Sequence, residues 1–305
     1  MTRFEWQVIT KSVIGDSHLK RGVPNQDAIG FYELPGNAAA KILAVSDGHG
    51  SEKCPRSSTG ASFAVNCAIT VFIEFWNTVH SKFEKEGASD QKSVLLSIER
   101  HIRKDLPKLI VKRWMEVVES HASSVPFSRE YSKDEELLAY GATLTVVFIC
   151  EYFCSCLRLG DCDALIVSQG NEVTRLAQNT GQHIGDETDS LCQRDSDKRF
   201  EVYFYGTCDD IAKNPKLILV CSDGYEKAFE SDVGFKKGAL DIADMLMKED
   251  GKRSVEVSIE AWLREHSAFS GDDVSLGLLF DVTPSITQQP SMLSTETLPS
   301  STESL

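Results

Sequence analysis

The stretch KILAVSDGHGSEKC, residues 41–54, runs an apolar segment, Ile42 to Val45, straight into Ser-Asp-Gly-His-Gly. Asp-Gly alone is ordinary turn chemistry, because Asp bonds its own backbone and Gly tolerates positive φ. A second stretch sharpens the reading. Residues 216–224, KLILVCSDG, repeat the design: an apolar strand, then Ser-Asp-Gly. Asp223 is therefore expected to match Asp47 in local geometry, each carboxylate held at the mouth of a stiff strand.

Other acids flank predicted strands. Asp27 opens the strand of NQDAIGF, Asp272 and Asp273 open the last one in SGDDVSLGLL, and Asp161 stands at a predicted hairpin turn in LGDCDALI. Carboxylates gathered in one place repel and stay ionised together only when cations neutralise them. All-oxygen ligation selects hard cations such as Mg²⁺ or Mn²⁺. Two such ions about 3.5–4 Å apart lower the pKa of a bridging water and clamp an in-line displacement at phosphorus.

Bulk properties narrow the field. Asp and Glu outnumber Lys and Arg by 46 to 32, a formal charge of −14, which disfavours nonspecific binding to nucleic acid or to an anionic membrane. No unbroken apolar run approaches the roughly 18–20 residues that span a bilayer. The opening MTRFEWQVITKSVIGDSH lacks both an apolar signal core and a small-residue cleavage site, so a cytoplasmic location is expected. Nine cysteines without a Cys-x-x-Cys pair argue against a disulfide framework and a zinc knuckle. Cys154 and Cys156 would instead share one face of a strand as buried thiols. A nucleotide-binding enzyme lacks its glycine-rich fingerprints.

Along the chain, strands are predicted at WQVIT, DAIGFYEL and KILAVS, then helices through 57–123 with a charged break at 84–90 and an interruption near Pro107. Residues 141–176 return to β periodicity as a meander of four short strands, with turns at Glu151, Gly160-Asp161 and Gly170-Asn171. A polar stretch over 177–199 reads as a flap or long loop. Strands FEVYFYG and KLILVCS, two helices and a last strand, DVSLGLLFDV, complete a domain over 1–283. The Ser/Thr-rich tail, 284–305, reads as disordered. Strands and helices fall in separate runs, so the fold class is α+β, two packed antiparallel sheets with helices on their outer faces.

Six motifs in order, NQDA, VSDGHG, GATLTVV, LGDCDA, LVCSDG and SGDDVSL, make the chain resemble the metal-dependent protein phosphatases of the 2C type over about residues 8–282. The GVPNQDA form points to a divergent, bacterial-like branch. The resemblance implies a four-layer αββα sandwich with two Mn²⁺ or Mg²⁺ ions at one end. Asp47 would bridge both ions, with the Gly48 carbonyl completing one coordination sphere. Asp223 and Asp272 would hold the other ion, and Asp27 would accept a hydrogen bond from a water ligand. His49 would donate a proton to the departing serine or threonine oxygen, help worth about 10²–10⁴-fold. The implied substrates are phosphorylated proteins, with a cognate Ser/Thr kinase as a partner and a monomeric enzyme.

Three positions depart from the family pattern. Gln26 stands where an acidic residue is common. Gly22 stands where the phosphate-binding Arg usually lies, leaving Arg21, Lys20 or His18 as substitutes. Lys227 replaces an Asp that often helps hold a third metal, which leaves Asp161 as the remaining third-site ligand. Asp273 is expected to support the strand start instead of binding metal. These departures motivate the alternative, a catalytically weak or silent binding module of this fold. The intact Asp47, Asp223 and Asp272 favour the enzyme.

Overall fold

The computed structural model describes residues 4–35, 40–85, 91–176, 188–206 and 213–283. The expected tail, the first part of the expected flap (177–187) and most of the charged break (86–90) lie outside them.

Among the described residues, ten strands form two antiparallel five-stranded sheets. In chain order they are β1 (Trp6–Val13), β2 (Ala28–Glu33), β3 (Lys41–Ser46), β4 (Leu144–Ile149), β5 (Phe153–Leu159), β6 (Asp163–Ser168), β7 (Val173–Arg175), β8 (Glu201–Gly206), β9 (Pro215–Cys221) and β10 (Val274–Asp281). One sheet has the order β1-β10-β9-β6-β7, the other β2-β3-β4-β5-β8. Helices α2 (Ser57–Lys85), α3 (Gln91–Lys104) and α4 (Leu106–Ser124) cover the second sheet, and α7 (Asp232–Leu246) and α8 (Gly251–Ser270) cover the first. Three short α-helices, α1 (Asp16–Arg21), α5 (Lys133–Leu138) and α6 (Asp223–Glu226), and a 3-10 turn at Ser196–Lys198 complete the set among the described residues.

The apolar runs have a simple cause. Every residue of β3 is buried because both faces of its sheet are covered. Alternation sends Ile42 and Ala44 towards the helices and Leu43 and Val45 into the layer between sheets. That inner layer also takes Cys154 and Cys156, on one face as expected. Gly277 of β10 is needed there, since a Cβ on it would lie 2.7 Å from Leu43 of the facing sheet. Pro107 sits in the first turn of α4, where a missing N–H costs nothing, so it separates α3 from α4.

By length and composition Ser57–Ser81 of α2 is apolar enough to cross a membrane. A search for unbroken apolar runs overlooks it because Asn66, Thr70 and Glu74 interrupt the pattern at helical spacing. These three face solvent, while Ala64, Ala68, Phe72 and Trp76 pack into the core.

The predicted four-strand meander is not one meander. β4 pairs with β5, but β6 pairs with β9 and β7 in the other sheet. Gly160-Asp161 is therefore the crossing between sheets and not a hairpin turn. Gly160 takes φ +99°, and Thr143 packs so near that a Cβ would lie 2.5 Å away. Arg158 braces the crossing, its Nε donating to the Cys162 carbonyl at 2.7 Å. Helices α1 and α5 fall outside the segments the sequence predicts as helical; α5 is started by a Ser132–Glu135 capping box.

Candidate metal centre

The crossing at Gly160 places Asp161 at the end of the sandwich, where β3 and β9 deliver Asp47 and Asp223. One carboxylate oxygen from each of these three aspartates lies within 4.8 Å of the others. They line a polar cleft of about 430 Å³ together with Gly48, His49, Asp272, Lys227, His18 and Arg21. Strand ends from both sheets thus meet where the sequence predicted. The two Ser-Asp-Gly turns diverge after the Asp, however. Gly48 continues into an antiparallel bridge with Ala142, whereas Asp223 is the first residue of α6.

Backbone contacts explain the local motifs. The Asp47 N–H donates to Thr143 Oγ1 at 2.9 Å, and the Thr143 N–H returns a bond to the Asp47 carbonyl at 2.8 Å. GATLTVV therefore supplies the clamp on Asp47. Gly48 is obligatory: a Cβ would lie 2.7 Å from the Gln26 carbonyl and 2.8 Å from the Ser57 backbone. The His49 N–H donates to the Gly141 carbonyl at 3.1 Å, directing the half-buried imidazole along the cleft. Thr188 donates to Asp161 Oδ2 at 2.8 Å, a contact with no signal in the sequence.

Electrostatics give the acids a shared deficit. Burial raises the Asp47 carboxyl well above its usual value, and the charges of Asp27, Asp223, Asp161 and Asp272 raise it further. Asp223 is raised by burial and by Asp161, with Lys227 working against both. Asp27 lies behind the cleft and is pushed up to about 8, first by burial and then by Asp273 and Asp223. Hydroxyls of Ser222 and Ser275 draw that value down, yet neither Asp27 oxygen has a partner of good hydrogen-bond geometry. Asp223 Oδ1 is likewise buried without one. Oxygen donors crowded together, some with no proton donor to satisfy them, fit a hard divalent cation. Burial lowers the His49 imidazole, opposed by Asp161.

The remaining predicted residues divide. Asp272 lines the cleft, but Lys227 engages it: Nζ is 2.6 Å from Asp223 Oδ2 and 3.4 Å from Asp272 Oδ2. His18 is buried against Asp273, while exposed Arg21 reaches the cleft from α1. Lys20 turns to Asp16, 2.9 Å away. Asp273 supports backbone, as expected, accepting the N–H groups of Gly15 and Gln26 at 2.6 Å each.

A family model described as Protein phosphatase 2C matches residues 14–264. The chain belongs to the protein phosphatase 2C family. Solved structures of similar fold include the catalytic domain of the serine/threonine protein phosphatase PstP in complex with 2 manganese ions. It is 15% identical with a TM-score of 0.51, over 92% of this chain and 99% of that one. A bacterial serine phosphatase is 16% identical with a TM-score of 0.50, over 90% and 97%. A C. elegans sex determining protein is 16% identical with a TM-score of 0.54, over 90% and 64%. At such identities the likeness is one of fold. No curated protein matches the sequence. In this member of the protein phosphatase 2C family, Asp47 and Asp223 share one cleft.

Proposed function

We propose that this chain hydrolyses phosphoserine and phosphothreonine in proteins, using divalent metal bound in the cleft lined by Asp47, Asp161, Asp223 and Asp272. The observation that carries the reading is the triad of Asp47, Asp161 and Asp223 oxygens within 4.8 Å at the floor of a cleft that also contains His49. Mn²⁺ or Mg²⁺ there would supply an acidified water and a clamp on the phosphoryl oxygens.

The chain's own residues would do the rest. Asp27, buried and hungry for a hydrogen-bond donor, orients the attacking water from behind. Arg21 and His18, at the cleft edge, bind the phosphoryl oxygens in place of the Arg missing at Gly22. As water adds to phosphorus, the P–O bond to the side chain breaks, and the departing serine or threonine oxygen takes a proton from protonated His49, a form that Asp161 favours and burial opposes. The products are the free hydroxyl side chain and inorganic phosphate. No covalent phosphoenzyme is required, so the buried cysteines are left to the core. A cytoplasmic location, a cognate kinase and a monomeric state belong to the same proposal.

The test is hydrolysis of a phosphopeptide and of p-nitrophenyl phosphate by the purified chain with and without Mn²⁺. Turnover that needs Mn²⁺ and disappears in Asp47→Asn and Asp223→Asn is expected; activity no higher than in those variants would reject the reading. A second reading, a weak or silent module, is favoured by one observation: Lys227 already neutralises part of Asp223 and Asp272. Calorimetry separates the two, because a silent module has no need of Mn²⁺.

A further inference from the structure

Lys227 does more than interrupt a motif. It is the C-cap of α6, and its own N–H bonds the Asp223 carbonyl at 2.9 Å, so the side chain folds back across a single turn. That brings Nζ into contact with Asp223 Oδ2 and within 3.4 Å of Asp272 Oδ2, against the wall of the cleft. An ammonium bridging two carboxylates stands where an inorganic cation shared by them would stand.

On the other side of Asp223 the situation is reversed. Asp223 is 9% exposed, and its Oδ1 is buried with no partner. Asp47 and Asp161 each bring an oxygen within 4.8 Å of an Asp223 oxygen, and no basic side chain pairs with Asp47 or Asp161 among the described residues. The centre is therefore asymmetric. One end is satisfied by a cation built into the chain, and the other lacks one.

We propose that the Lys227 ammonium is a tethered cation filling the position between Asp223 and Asp272, so that this centre takes one divalent ion, on Asp47, Asp161 and Asp223, in place of two. A second divalent ion would have to enter beside a fixed positive charge and displace it from both carboxylates. The tether keeps the ammonium at hand whatever the ion concentration. The metal site rests on the phosphatase reading above, whereas the ion count is read without any assay of hydrolysis.

The experiment is a Mn²⁺ titration of the full chain by calorimetry, paired with the EPR spectrum of the loaded protein and a melting curve for each variant. The wild type is expected to take one equivalent and give the spectrum of an isolated ion. Lys227→Asp is expected to take two and give that of a coupled pair. Lys227→Ala should admit the second ion more weakly, and serves if the Asp variant does not fold. Lys227→Arg should remain at one. Two equivalents in the wild type, or one in both Lys227→Asp and Lys227→Ala, overturns the tethered cation while leaving Mn²⁺-dependent hydrolysis standing. No Mn²⁺ bound by the wild type or any variant overturns this inference and the phosphatase reading together.

Discussion

His18 Nδ1 lies 2.9 Å from Asp273 Oδ2, and both side chains are buried. Asp273 thereby ties the start of β10 to the loop that leads to Asp27, since the same carboxylate accepts from Gly15 and Gln26. Asp273→Ala would strand these N–H groups, at about 1–3 kcal/mol for each buried donor left unpaired. The expected loss is about 3 kcal/mol in urea unfolding, with Asp273→Asn retaining part of it. Unchanged stability in the Ala variant would mean that water replaces the carboxylate without cost.

His49 is argued to protonate a poor leaving group. A nitrophenolate leaves without that help, so His49→Ala should slow phosphopeptide hydrolysis by about 10²-fold and p-nitrophenyl phosphate hydrolysis far less. Equal losses on both substrates would assign His49 to holding the site instead.

Gly141 offers an independent way to move that imidazole. A Cβ at this position would lie 2.7 Å from His49 Cδ2 and 3.1 Å from the Leu138 carbonyl. Gly141→Ala must therefore displace the ring while leaving the aspartates in place. Phosphopeptide turnover should fall in the same substrate-selective way as in His49→Ala, with Mn²⁺ binding by calorimetry retained. Loss of Mn²⁺ binding would show that Gly141 supports Asp47 and not merely the ring.

Much of this was legible because stiff strands announce themselves. Ile42 to Val45 and Leu217 to Val220 are apolar on both faces, and a carboxylate directly after such a run has few places to be. The short helices α1 and α5 went unseen, since one or two turns leave too little periodicity to detect. The sequence places Asp161 in a hairpin because a sheet crossing and a hairpin turn look alike locally; only the pairing of β6 with β9 distinguishes them. Lys227 registered as a departure, but its contact with Asp272 spans 45 residues and has no local signature. Thr188 was hidden for the same reason, 27 residues from Asp161.

Asp163 gives a prediction that does not depend on catalysis. It is 1% exposed, with Oδ2 3.1 Å from an Arg175 nitrogen and Oδ1 without a partner. Burial pushes its carboxyl up, against the pull of Arg175 and Arg158, from the ordinary 3.8 to about 6. Between those values the unfolded chain has released its proton and the folded chain still holds one. The folded state then binds more protons, so stability from this group is full below 3.8, falls as pH rises, and levels off above about 6. At about 1.4 kcal/mol per tenfold change in proton affinity, the loss approaches 3 kcal/mol. An amide has no such proton to lose. Urea unfolding across this range should therefore show Asp163→Asn gaining on the wild type as pH rises, the gap closing or reversing by about 3 kcal/mol. Parallel profiles for the two proteins would mean that Arg175 already keeps Asp163 ionised in the folded chain.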